Sequence, residues 1–196
     1  PWAFATTDVD VNQTTTGKTE AYGGITDGTA LTATSPVLGA WVDNTAQTGA
    51  AVISKDQAQG TVAGALSLCH LDSEALGNGV FCEMDLFIRT NNGNSAAVIV
   101  RGATAANTNI MAIYNGTNIR ILKCIAGATT QLGATHAVVL PVGSTNRIRL
   151  EAATGAQRAY LNGTQIITAT EADAGMAGLG NNMGLRLQSG SWANTT

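Results

Sequence analysis

Two Asn-Gly pairs, Asn115-Gly116 and Asn162-Gly163, each stand between runs in which apolar and polar residues alternate. Asparagine and glycine both tolerate the positive φ of a type I′ turn, so such a pair is the strongest short signal of a β-hairpin. The first pair joins Asn109 to Tyr114 with Asn118 to Ile125; the second joins Gln157 to Leu161 with Thr164 to Ile167. Period two also runs through Gly79 to Arg89, placing Val80, Cys82, Met84, Leu86 and Ile88 on one face. Phe81, Glu83, Asp85, Phe87 and Arg89 fall on the other, mixed face. Asn146 to Ala152 alternates as well, with Arg147, Arg149 and Glu151 facing out, and Gly155 turns it into Gln157. Ala96 to Arg101 and Met183 to Ser189 complete the strand candidates, the latter with Leu185 and Leu187 inward.

No helical window of comparable strength exists; Asp72 to Leu76 and Glu171 to Gly175 read at most as single turns of helix. Only 12% of the 196 residues are charged, against about 25% in an average globular chain, which leaves little material for solvated helices. The reading is all-β: a two-sheet antiparallel β-sandwich of roughly ten to thirteen strands, without tandem repeats.

Residues 1–36 are Thr, Gly and Asp-rich and hold few large apolar side chains, so this segment is expected to be an extended N-terminal arm. The sandwich is expected over 37–192, with 193–196 as a C-terminal tail. A pI of 5.2 and the absence of a basic run argue against a nucleic-acid partner. No apolar stretch approaches the roughly 18 residues of a membrane helix, and Pro1-Trp2-Ala3-Phe4 lacks the pattern of a signal peptide, so no membrane partner is expected. Pro1 is either a mature start or a fragment boundary. Cys69, Cys82 and Cys124 form an odd set without a CxxC pair, which reads as buried thiols made in a reducing compartment.

In order, "LGAWV", "FCEMDLFIRT", "AAVIVRG", "NIMAIYNGTNIRILK", a "TQLG" turn, "NRIRLEA", "AYLNGTQIITAT" and "GLGNNMGLRLQSG" resemble the concanavalin A-like or laminin G-like jelly roll. The form they are most similar to occurs in bacteriophage virion proteins and in bacterial carbohydrate-binding modules. The resemblance covers about Val37 to Trp192 and implies fold more than function, since lectins, glycosidases and coat components share this sandwich.

Glu83 and Asp85 share a strand face, as the paired carboxylates of a glycosidase would. Jelly-roll glucanases use E-x-D-x-x-E, and here Ile88 stands where the last Glu would be. The pair therefore reads as outward carboxylates beside Arg89 or Arg101, and no catalytic residue is assigned. His70 and His136 are the only histidines and are 66 positions apart, so no histidine metal pair exists; scattered aspartates, Asp8-Val9-Asp10 being the densest, form no calcium loop. There is no GxSxG, and the GxxGxG at Gly175 to Gly180 lacks the strand and helix of a phosphate cradle. No cofactor is expected.

Aromatic platforms serve sugar recognition. Trp41, Tyr114 and Tyr160 read as packed sheet residues, which leaves Trp2, Tyr22 and Trp192 as glycan or subunit contacts. The expected function is non-enzymatic: a bacteriophage virion structural subunit, such as a capsid decoration, head-fibre or tail-associated protein. It would be made in the host cytoplasm and assembled through its arm into a homo-oligomer, with three-fold symmetry favoured, and with other virion proteins. The alternative is a carbohydrate-binding module for a cell-surface or polysaccharide glycan.

Overall fold

The computed structural model describes residues 2–6, 16–20, 41–43, 51–54, 57–60, 66–71, 80–88, 95–103, 108–153, 155–171, 179–180, 182–188 and 192–194. Within the segment read as an arm lie β1 (Trp2–Thr6) and β2 (Thr16–Glu20). They are followed by β3 (Trp41–Asp43), β4 (Ala51–Ser54), β5 (Gln57–Gly60), β6 (Leu66–Leu71), β7 (Val80–Phe87) and β8 (Ala96–Ala103). Next come β9 (Thr108–Tyr114), β10 (Asn118–Ile125), β11 (Ala128–Ala137) and β12 (Thr145–Ala153). The chain continues through β13 (Ala156–Leu161), β14 (Thr164–Thr170), β15 (Asn182–Gln188) and β16 (Trp192–Asn194).

These strands form two seven-stranded antiparallel sheets, β14-β13-β12-β7-β16-β5-β4 and β11-β10-β9-β8-β15-β6-β3, while β1 and β2 pair in a ladder of their own. There is no helix among the described residues, and the expected sandwich is present. Its strands are more numerous than the ten to thirteen expected. β3, β4 and β5 have only three or four residues each, too short a run for alternation to show. The residues of the two expected helical turns lie outside the described ones, save Glu171.

The core forms between the sheets as period two requires. Cys82, Met84, Leu86 and Ile88 of β7 and its extension, with Ile148 and Leu150 of β12, meet Val98, Val100, Ile110 and Leu185 from the other sheet. Desolvation in this core raises the Cys82 thiol pKa far above its ordinary value. The centre of the second sheet is apolar on its outer face too: Ala97, Ile99, Met111, Ile113, Leu122 and Cys124 form a separate buried cluster. Burial on both faces explains why AAVIV and NIMAIY read as nearly unbroken apolar runs.

Both Asn-Gly hairpins exist, but they turn differently. Asn162 and Gly163 both adopt positive φ, 50° and 83°, as a type I′ turn needs. In the other hairpin Asn115 N donates to Asn118 O at 3.2 Å, so Gly116 and Thr117 are the central residues, with Gly116 at φ 93°. Asn115 instead uses its side chain, its Oδ1 accepting from Thr117 N and Asn118 N at 3.2 and 3.0 Å. A third two-residue turn, Ala126-Gly127 at φ 48° and 87°, joins β10 to β11. The expected "TQLG" turn is instead part of β11: Leu132 is buried in the core and Gly133 sits at φ 68° against β14. A Cβ at Gly133 would lie 2.9 Å from the Thr168 carbonyl oxygen, so glycine there sets how closely the two edge strands approach.

Candidate functional site

The cross-strand register of β7 and β12 sets Asp85 opposite Arg147, Glu83 opposite Arg149 and Phe81 opposite Glu151. All six side chains leave the face opposite the core, because their neighbours Cys82, Met84, Leu86, Ile148 and Leu150 point inward. Glu-x-Asp on one antiparallel strand thus meets Arg-x-Arg on the other with charges matched residue for residue. Over this lattice opens a pocket of about 690 Å³, completed by Thr145, by Tyr160 of β13 and by the Asn162-Gly163 turn.

Arg147 grips Asp85 with both prongs of its fork, Nε to Oδ1 at 2.7 Å and Nη2 to Oδ2 at 2.8 Å. Its Nη1 stands 4.0 Å from Glu83 Oε1. Hydrogen bonding to Asp85 raises the Arg147 pKa above its already high ordinary value. Arg147 itself is half exposed, so the outer edge of its guanidinium remains open to a ligand. The Arg149 guanidinium carbon stands over the Phe81 ring, 3.7 Å from its centroid, and 5.5 Å from that of Tyr160. It donates to Glu151 Oε1, while the Tyr160 hydroxyl donates to Glu151 Oε2 at 2.8 Å. Burial, followed by the hydrogen bond to Glu151, raises the Tyr160 pKa.

Asn162 holds the rim. Its backbone N donates to Arg147 O at 2.8 Å, and its Oδ1 accepts from Arg147 N at 2.8 Å. Its Nδ2 reaches Asn146 Oδ1 at 3.1 Å. Asparagine combines tolerance of φ 50° with an amide that fastens the turn to β12, which explains the residue type at this position.

Several sequence readings change here. The carboxylates Glu83 and Asp85 are paired by Arg147, from a strand sixty residues along, where Arg89 or Arg101 had been expected; Arg89 lies outside the described residues and Arg101 belongs to β8 in the other sheet. Tyr114 is packed as expected, its hydroxyl donating to Gly116 O and accepting from Leu140 N. Tyr160 is not: it is partly exposed and lines the pocket wall. Of the expected contacts, Trp2 lies in β1 and Trp192 in β16, and Tyr22 lies outside the described residues. Ile88, at the third-acid position of the glucanase motif, is buried in the core. His70 and His136 fall on β6 and β11, with four strands between them. Among the described residues no three His, Cys, Asp or Glu side chains converge as a metal cage would require.

No protein-family model matches the chain, and no curated protein matches it in sequence. Solved structures do match. The carbohydrate binding module CBM66 from Bacillus subtilis superposes with a TM-score of 0.65 at 19% identity, over 80% of this chain and 92% of that one. A Bacillus subtilis protein of unknown function with a galectin-like fold gives 0.53 at 14% identity, over 86% and 93%. The carbohydrate recognition domain of Emp46p, in its potassium-bound form, gives 0.51 at 6% identity, over 85% and 91%. The fold is therefore the concanavalin A-like jelly roll.

Proposed function

We propose that this chain is a carbohydrate-binding domain whose ligand seat is the pocket over β7, β12 and β13. The observation that carries the reading is the charge-matched lattice of Glu83, Asp85, Arg147, Arg149 and Glu151 at the floor of an open pocket on an antiparallel sheet. A sugar hydroxyl donates one hydrogen bond and accepts others, so neighbouring hydroxyls are met best by alternating carboxylates and guanidiniums held at fixed spacing. Each ion pair positions its partner and leaves lone pairs or N–H groups for the ligand. Tyr160 offers an aromatic wall and Asn162 and Thr145 a polar rim. The likeness to the CBM66 module and to the Emp46p recognition domain supports the same reading.

Binding without bond cleavage fits the same geometry. Glycoside hydrolysis needs a protonated acid beside the leaving oxygen and a second carboxylate across the bond. Asp85 is clamped by Arg147, Glu151 accepts from Arg149 and Tyr160, and Ile88 supplies no third acid. The virion-subunit expectation draws no support from these neighbours and is not carried forward.

A glycan array followed by titration of the best glycan tests the reading. The expected result is binding on the order of micromolar to millimolar, weakened at least about tenfold, or 1.4 kcal/mol, by Arg147→Ala in a folded variant. No binding to any glycan, or binding indifferent to both Arg147→Ala and Tyr160→Ala, would overturn it. Hydrolysis of a β-glucan that disappears in Glu83→Gln would replace the non-catalytic reading with an enzymatic one.

A further inference from the structure

The five strands β8, β9, β10, β11 and β15 carry Arg101, Arg120, Lys123 and Arg186 and not one Asp or Glu. Lys123 is neutralised across the sandwich by Glu171, at 3.0 Å. Arg120 and Arg186 have no carboxylate partner among the described residues. Arg120 sits between the core residues Ile119 and Ile121, and Arg186 between Leu185 and Leu187, so both side chains leave the outer face of the second sheet.

The register aligns them in one row: Arg186 opposite Ala97, Ala97 opposite Ile113, and Ile113 opposite Arg120. Four adjacent strands put the two Cα atoms about 14 Å apart. The row between them runs over Ala97 and Ile113, both buried. Arg186 reaches along it, since its Nη1 lies 3.7 Å from Met111 Sδ on β9. A thioether is a weak acceptor and supplies no counter-charge. Arg120 Nε is buried without a hydrogen-bond partner. Burial lowers the Arg186 pKa; Cys124 acts in the opposite sense, and Arg120 adds like-charge repulsion. A guanidinium nevertheless stays protonated, so among the described residues the row holds two positive charges with no carboxylate counter-charge, against an apolar floor of Ala97, Met111 and Ile113. Both arginines keep partial exposure, which leaves access from solvent.

From this juxtaposition we infer that Arg120 and Arg186 form a binding site for an oxyanion, a carboxylate, sulfate or phosphate group, on the sheet opposite the sugar pocket. The planar forks of two arginines suit such a group bidentately from two sides, and the anion supplies the missing charge. The site is independent of the glycan reading, because none of its residues touches the pocket.

Thermal melting of the full chain in sodium sulfate, sodium phosphate or sodium glucuronate, each against sodium chloride at matched ionic strength, tests the site. The expected result is a saturable rise of about 3–6 °C at ten times the dissociation constant in at least one arm. The arm that saturates at the lowest concentration identifies the source of the oxyanion. The rise persists in Glu83→Gln and disappears in Arg120→Gln and Arg186→Gln; where one of these fails to fold, the other decides. In chloride alone, Arg186→Met melts no lower than the parent, because it removes a charge that has no carboxylate partner among the described residues. No saturable response in any arm overturns the site, as does an undiminished response in Arg120→Gln, or a fall of several degrees for Arg186→Met in chloride.

Discussion

Replacing Asp85 by asparagine isolates the electrostatic part of the pocket while keeping its shape. The parent carboxylate accepts two hydrogen bonds, at 2.7 and 2.8 Å, from Arg147. After Asp85→Asn one of these survives on the amide oxygen, and the other becomes an amide N–H facing a guanidinium N–H. An exposed ion pair contributes about 0.2–1 kcal/mol, and breaking a buried one costs about 3–5 kcal/mol. Here the Asp85 side chain is 10% exposed and that of Arg147 48%, so the expected cost is intermediate, about 1–2 kcal/mol. For a chain of this length that lowers the melting temperature by about 2–8 °C. The assay is urea unfolding of the parent, Asp85→Asn, Arg147→Met and the double variant. If the fork carries the cost, the double variant loses less than the two single losses together, by about 1 kcal/mol. Additivity within about 0.3 kcal/mol would refute the reasoning, since the pair would then contribute nothing beyond its separate members. Both single variants are also expected to lose glycan affinity, because Asp85 and Arg147 each offer atoms to the pocket.

Gly133→Ala should destabilise by about 2–4 kcal/mol in urea unfolding, from the positive φ and the 2.9 Å approach to the Thr168 carbonyl; a loss under 1 kcal/mol would show that β11 and β14 shift apart freely. Ala126→Asn, at an exposed position with φ 48°, should stabilise by about 0.5–1 kcal/mol, and a neutral or negative effect would count against the type I′ reading of that turn. Tyr160 should ionise late in an ultraviolet pH titration, with the late step missing in Tyr160→Phe. Its folded pKa is raised, so the stability tied to its proton is complete below about pH 10 and is lost as pH climbs through the folded value. A Tyr160 step at the ordinary tyrosine value in the folded chain would contradict the raising by burial and by its hydrogen bond to Glu151.

How much of this was legible in the sequence differs by element. The inward faces of β7, β12 and β15 followed from period two alone, since Met84, Leu86, Ile148 and Leu185 are each no more than 1% exposed. The Asn162-Gly163 turn followed from backbone chemistry. The turn at Ala126-Gly127 did not, because alanine gives no local sign that tertiary pairing of β10 and β11 will hold it at positive φ. The pocket was half legible. Glu83 and Asp85 were visible as one face, and Arg147, Arg149 and Glu151 as another, but their meeting depends on a strand pairing more than sixty residues apart. One signal was available: read in opposite directions, Glu-x-Asp and Arg-x-Arg are complementary, as an antiparallel pair of polar faces should be. The row of Arg120 and Arg186 offered no such sign, since register across four strands brings them into line.

The most direct test of the sugar-binding account is a nuclear magnetic resonance titration of the arginine Nε–H and asparagine Nδ2–H signals with the tightest glycan from the array. The account predicts that Arg147, Arg149 and Asn162 shift together along one saturation curve while Arg120 and Arg186 stay still. Shifts confined to Arg120 and Arg186, or none at β12 when the glycan is bound, would place recognition elsewhere and contradict it.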